Sequence, residues 1–270
     1  MKSSSLRNFL RHIKYKLLIY FAPRTNRVYT QFYRFPHQYK ALIDRVIPFL
    51  QNQDSPIHAK PLDVAIFACC TGAEPVTFSS VLKQHFPDIA LNIKAFDIVD
   101  NVIETAKTSV YSKEDVYDGP FVTEEFVEQT FEKSDDTYMV KPHISSTIKF
   151  SVGDMLDQSF MSNLGKFDLV MAQNVLFHLP RQRAREAFDN LTALLKPKSA
   201  LFINGMDTDM RIQLTKKSGL EPLDYLVEEI HEDARVDRGN AWAGSYFGRQ
   251  PFSRSSRDWL RKYCTIYFKG

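Results

Sequence analysis

Apolar residues along the chain gather into short runs separated by stretches of helical spacing. Residues 63–68, 91–96, 147–152, 167–172 and 200–204 are such runs, and each predicts a strand. Between them, 75–85, 101–108 and a segment from Pro180 to about 195 predict helices, the last opened by a proline whose fixed φ suits a first turn. Strand and helix in alternation predict βαβ units, and hence an α/β fold around a mainly parallel sheet. Acidic helical segments fill 112–131. Residues 138–140 and 147–152 flank a turn at Pro142, which predicts a small antiparallel β projection leading into strand three. Near the end, 223–230 and 264–268 predict an antiparallel pair of strands around a long Gly-, Arg- and aromatic-rich segment. Upstream, 36–50 predicts a helix. Leu6, Phe9, Leu10, Ile13, Leu17 and Tyr20 give 6–21 an apolar stripe along a basic helix, which Pro23 closes.

A chain of 270 residues, 44% of them hydrophobic, can fill one sizeable core. The expected organisation is a helical arm and polar linker over 1–60, then a single domain over 61–270 with its β projection at about 132–150. Charge changes the picture of the arm. Residues 1–43 hold nine Lys or Arg and no acid, whereas Glu124, Glu125, Glu128, Glu132, Asp135 and Asp136 crowd the middle. Such an arm suits an acidic protein or an anionic membrane surface, or is a solvated helix, and no nucleic-acid module accompanies it. Cys69, Cys70 and Cys264 form neither a disulfide framework nor a metal-ligand spacing, and no histidines pair at metal spacing. The expectation is a metal-free protein in a reducing, cytoplasmic setting. No apolar run approaches the roughly 20 residues needed to span a membrane, and residues 17–22 are followed by no small-residue cleavage signature.

The chemistry concentrates at 67–75, Phe-Ala-Cys-Cys-Thr-Gly-Ala-Glu-Pro, and at Asp97, the acid that ends the next apolar run. In doubly wound sheets ligands bind beyond the carboxyl ends of the strands, and an acid after the second strand takes ribose hydroxyls. A dinucleotide site needs several glycines so that backbone amides can approach a pyrophosphate. This loop has Gly72 alone, and Glu74 beyond it would repel phosphate while suiting an ammonium. S-adenosylmethionine (SAM) carries an adenosine, an ammonium and no phosphate. These residues predict a SAM-dependent methyltransferase and disfavour an NAD-dependent oxidoreductase.

Five pieces in order are Thr30-Gln31-Phe32-Tyr33-Arg34, Thr71-Gly72-Ala73-Glu74-Pro75, Ala95-Phe96-Asp97-Ile98, Phe150-Ser151-Val152-Gly153-Asp154-Met155-Leu156 and Gln173-Asn174-Val175-Leu176-Phe177-His178. Together, over about residues 28–205, they resemble the chemotaxis receptor methyltransferase (CheR-type) family. The resemblance implies a class I methyltransferase fold, a Rossmann-like seven-stranded sheet with helices on both faces. It also implies SAM as donor and, in the chemotaxis members, methyl esterification of receptor glutamates. By the same resemblance Thr30 and Arg34 reach the cofactor's reactive end and Glu74 contacts its methionine part. Asp97 holds the ribose, and Asp154, Met155, Asn174 and Val175 line the adenosine pocket.

Each assignment competes with a plainer one: Arg34 as a surface ion-pair partner, Glu74 as a helix N-terminal acid, Asp154 as a turn residue. The sequence also departs from the family pattern. Ala73 replaces an acid, Gln173 replaces an arginine, and His178 stands where a tyrosine near the transferred methyl is usual. Only about 27 residues precede the matching segment, and residues 206–270, with Trp242, Tyr246, Phe247 and Trp259, read either as a substrate lid or as a loop packed on the sheet.

The leading expectation is O-methylation of a carboxylate, in a protein glutamate or a small acid. A carboxylate needs no base, and Arg34 would align it bidentately. The alternatives are a hydroxyl or amine acceptor with His178 as base, or a SAM-binding adaptor without turnover.

Overall fold

The computed structural model describes residues 30–51, 60–237 and 252–270. Its first elements are α1 (Pro36–Ala41), a π-helical turn (Leu42–Val46) and α2 (Ile47–Leu50), which together make the predicted helix at 36–50. There follow β1 (Leu62–Phe67), α3 (Ala73–His85), β2 (Leu91–Asp97), α4 (Asp100–Thr108), β3 (Val110–Ser112), α5 (Lys113–Tyr117) and α6 (Glu124–Thr130). Next come β4 (Phe131–Ser134), β5 (Thr137–Val140), α7 (Pro142–Ser145), β6 (Ile148–Val152), α8 (Gln158–Asn163) and β7 (Phe167–Ala172). After a 3-10 turn (Leu176–His178) the chain forms α9 (Arg181–Ala193), β8 (Leu195–Ile203), α10 (Thr208–Lys217), β9 (Glu221–Pro222), α11 (Val227–Asp237), α12 (Trp259–Tyr263) and β10 (Ile266–Lys269).

The main sheet has seven strands in the order β6-β2-β1-β7-β8-β10-β9. β10 runs antiparallel to both neighbours, and β6, β2, β1, β7 and β8 pair in parallel. The predicted α/β architecture is therefore present. Its central strands read as continuous apolar runs because both faces are covered. Val64, Ile66, Leu169, Met171 and Phe202 point into one core with Val76, Phe78 and Leu82 of α3 and Leu42 and Ile47. The intervening Ala65, Phe67, Val170, Ala172 and Leu201 point into the other, with Phe188 and Leu191 of α9 and Met210 and Leu214 of α10. At the amino ends of the strands, Lys196 Nζ bridges Asp63 Oδ2 at 2.8 Å and Asp168 Oδ2 at 2.9 Å, away from the carboxyl ends where ligands bind.

Two expectations are corrected. The small antiparallel sheet is β3-β5-β4, whereas 148–152 joins the main sheet beside β2. Strands of three and four residues carry too little period-2 pattern to be read, so sequence alone sets 138–140 against 147–152 across the Pro142 turn and not against β3 and β4. The run at 223–230 is not a strand. Strand pairing there stops at Pro222, Leu226 turns the chain with φ 52°, and α11 begins at Val227. Val227, Ile230, His231 and Asp233 are buried at helical spacing, and Glu228 and Glu229 suit the first turn. The predicted helix at 6–21, nearly all of the linker, and Trp242, Tyr246 and Phe247 lie outside the described residues.

Candidate active site

Strand order reverses between β1 and β7, the switch point where a crevice opens in such sheets. The loop leaving β1 is shaped for it. Ala68, Cys70 and Gly72 all have left-handed φ, at 58°, 53° and 96°. Only glycine is free of strain there; the other two cost on the order of 1–3 kcal/mol each, which surrounding bonds must offset. Cys69 N–H donates to Phe96 O at 3.0 Å, Gly72 N–H to Cys69 O at 2.9 Å, and Tyr111 Oη to Thr71 O at 2.7 Å. Gly72 is also sterically required, since a Cβ would lie 2.8 Å from Tyr111 Oη and 3.0 Å from Phe150 Cζ.

Asp97 ends β2 with its carboxylate tied to two loops. Oδ2 accepts the Cys70 N–H at 2.9 Å and Oδ1 the Val99 N–H at 3.1 Å. An ionised carboxylate has about four acceptor positions, so lone pairs remain, and the residue is only partly buried. Its carbonyl takes the Gly153 N–H at 2.9 Å, which brings the loop after β6 alongside. In that loop the exposed Asp154 accepts the Leu156 N–H through Oδ1 at 2.8 Å, the turn-forming use of an aspartate. Met155 is buried in the core shared with α9, and its carbonyl accepts from Asn190 Nδ2 at 2.9 Å. Its side chain packs within that core.

Glu74 lies in the first turn of α3. Burial pushes its carboxyl up to about 7, and the Arg34 charge opposes part of that rise. The structure thus brings Arg34 and Glu74, 40 residues apart in sequence, into one electrostatic unit. Arg34 also lies 5.5 Å from the centroid of the Phe35 ring. Thr30, partly buried, is the first residue of the segment that leads to it.

After β7, Asn174 has φ 52° and its N–H bonds Asn204 O at 3.1 Å. Gly205 (φ 68°) lies so close that a Cβ would be 2.6 Å from Asn174 Cα. Val175 is partly buried, while His178 is exposed with its ring 4.0 Å from that of Phe177. Gln173 is buried in an amide chain: its Nε2 donates to Gln38 Oε1 at 2.6 Å, and Gln38 Nε2 to Thr265 Oγ1 at 2.6 Å. Gln173 Oε1 has no hydrogen-bond partner among the described residues.

The family profile described as CheR methyltransferase, SAM binding domain, matches residues 28–221. The chain belongs to this family. The CheR-type chain is 23% identical to the probable biofilm formation methyltransferase WspC of Pseudomonas aeruginosa, over 78% of its own length and 49% of that protein. Against the chemotaxis protein methyltransferase of Borreliella burgdorferi it is 22% identical, over 77% and 76% of the two chains. It spans about half the length of the WspC proteins it matches. Among solved structures it is similar to magnesium protoporphyrin IX methyltransferase of Synechocystis PCC 6803 with bound SAM, with TM-score 0.40, 16% identity and coverage of 82% and 86%.

The donor set of the CheR-type crevice fits SAM. One carboxylate with unspent lone pairs stands at Asp97, beside the exposed apolar Ile98 and Val152, and a second carboxylate stands at Glu74. No histidine or cysteine seat and no run of glycines for a pyrophosphate is needed. Sequence reasoning missed Tyr111, which closes the Gly72 loop, Thr77 of α3, and Gln38 with Thr265. Their partners lie 40 to 227 residues away, beyond any local pattern.

Proposed function

We propose that this CheR-type domain catalyses SAM-dependent O-methylation of a carboxylate, in a protein glutamate or a small acid. What supports the reading is the Arg34 charge acting on the buried Glu74 carboxyl at the switch point. Bound SAM supplies a methyl group already activated on a sulfonium. The protein's task is then to hold nucleophile, carbon and sulfur in line, worth on the order of 7–11 kcal/mol when orientation is good. Asp97 accepts the ribose hydroxyls, and Ile98 and Val152 offer an apolar ledge for the adenine, with Asp154, Asn174 and Val175 forming the adjoining loops. Glu74 meets the ammonium. Thr30 and Arg34 stand at the acceptor end, where the guanidinium fork aligns an ionised carboxylate and no base is needed.

The exposure of His178 on its 3-10 turn supports this over a hydroxyl or amine acceptor, because a base works inside the closed pocket. A protein acceptor accords with relatives named chemotaxis protein methyltransferase and biofilm formation methyltransferase. The basic arm is proposed to dock an acidic protein or an anionic membrane. No helix among the described residues is long and apolar enough to cross a membrane, and Cys69, Cys70 and Cys264 are free and buried, as suits a reducing, cytoplasmic setting.

Transfer of labelled methyl groups from SAM to glutamate-bearing receptor protein or to small carboxylic acids tests the proposal. The expected label is released as volatile methanol by base. A label that resists base, or no transfer to either receptor protein or small carboxylic acids, overturns carboxylate methylation.

A further inference from the structure

Arg34 sits in a segment pinned on both sides by buried side chains from distant elements. Upstream, Tyr33 takes a left-handed φ of 50°, uncommon for an aromatic residue, and its ring stacks on Tyr39 at 5.7 Å and on Phe126 at 5.1 Å. Its N–H donates to Thr77 Oγ1 at 3.1 Å. Thr77 is fully buried, and its own hydroxyl proton goes to Ala73 O at 2.7 Å, one turn back in α3. That leaves an oxygen lone pair facing Tyr33 in a fixed direction. Downstream, α1 has Phe35 at its N-cap, which carries no capping oxygen. The buried Asp233 of α11 supplies one instead: Oδ2 accepts the His37 N–H at 3.0 Å, and Oδ1 lies 2.8 Å from His37 Nδ1.

We infer that Thr77 is a positioning residue for Arg34: by holding the strained Tyr33 backbone it aims the guanidinium at the end of the cleft where Glu74 stands. The inference rests on the proposed role of Arg34 only for its consequence in catalysis. The physical link is local. Thr77 lies on the same helix as Glu74, so one hydrogen bond fixes the Arg34 segment to the helix that carries the acid. Without the Thr77 oxygen, the part-buried Tyr33 N–H loses its acceptor and the strained φ can relax, and both favour rotation of the peptide that precedes Arg34. The Asp233 clamp at His37 confines that rotation to residues 33–36.

An uncharged substitution tests this without altering the local charge. The readout is the titration midpoint of the Glu74 carboxyl, followed by carbon NMR and assigned by its disappearance in Glu74→Gln. The Tyr39 phenol, which also neighbours Glu74 and Thr77, stays neutral over the range because burial raises it well above 10. Thr77→Val keeps the shape and removes the acceptor. It should move the Glu74 midpoint upward from about 7, in the direction of Arg34→Ala. Thr77→Ser should leave the midpoint at the wild-type value. In an Arg34→Ala background, Thr77→Val should move it no further. Thr77→Cys, similar in size with a much weaker acceptor, serves if the valine protein does not fold.

A wild-type midpoint in both Thr77→Val and Thr77→Cys overturns the inference, as does an equal shift with and without Arg34. In the methyl-transfer assay, Thr77→Val should lower kcat about tenfold or more while SAM affinity stays within a few-fold, since misplacement of about 1 Å is worth up to 10²-fold. If Arg34→Ala shifts the midpoint yet leaves transfer unchanged, the acceptor role of Arg34 fails while the positioning by Thr77 stands.

Discussion

Replacing Asp97 separates the loop-tying duty of its carboxylate from the ribose-binding duty proposed for it. The side chain accepts two backbone N–H bonds, from Cys70 and Val99, and these hold the strained loop after β1 to the end of β2. Charge-assisted bonds of this kind contribute about 1.5–3 kcal/mol each. With Asp97 partly exposed, the lower end applies, so Asp97→Ala should cost roughly 3 kcal/mol of stability. At about 2–4 °C per kcal/mol for chains near this size, the melting temperature should fall by roughly 6–12 °C. The remaining lone pairs are the ones proposed for the ribose, and their loss should weaken SAM by at least about tenfold, each 1.4 kcal/mol being one decade. Asp97→Asn keeps one acceptor for a backbone N–H and should recover about half of the stability but little of the affinity. The assay is titration calorimetry with SAM well below the lowered melting temperature, beside thermal melts of the three proteins. Normal SAM affinity in folded Asp97→Ala refutes the ribose assignment. An unchanged melting temperature refutes the loop-tying role.

Other expectations follow from the same geometry. Burial raises the Glu74 carboxyl to about 7 from its ordinary 4.5, so it costs stability as it ionises. Wild-type stability should therefore fall as pH rises from about 4.5 through 7, a fall absent in Glu74→Gln when denaturant midpoints are compared. SAM affinity should in turn rise with pH through about 7 in wild type only, and a flat calorimetric profile would remove Glu74 from the ammonium. For a carboxylate acceptor, Arg34→Lys should cut turnover strongly, because a point charge replaces a planar fork, while His178→Phe should have a mild effect; the reverse order in kinetic assays would move the proposal to a hydroxyl or amine acceptor. Deleting residues 1–22 should leave SAM affinity within a few-fold but weaken association with anionic vesicles or an acidic receptor fragment and flatten its salt dependence, exposed charges being screened beyond about 8 Å at physiological salt. A joint loss of SAM affinity and melting temperature would instead place that segment over the cleft.

What the sequence by itself determined was whatever repeats locally. Buried parallel strands are largely apolar because two cores claim alternate residues, so β1, β7 and the C-terminal part of β8 were legible as runs. The Gly-poor loop with Glu74 and the acid at Asp97 were legible as chemistry, since the residue types alone set the charge pattern of the ligand. Tertiary structure decided the rest. The three- and four-residue strands β3 and β4 exist only through pairing with β5, and α11 replaced an expected strand because its buried face appears only when it packs on α1. That Asp154 turns its own loop, that Met155 is core and that His178 is exposed depend on which way each loop folds back, which no spacing encodes. The elevated pKa of Glu74 arises from burial, and the two anchors around Arg34 join residues 44 and 196 positions apart. A hydrogen bond between such residues leaves no periodic trace in the chain, because its geometry is fixed only when the helices that carry them are packed on the sheet.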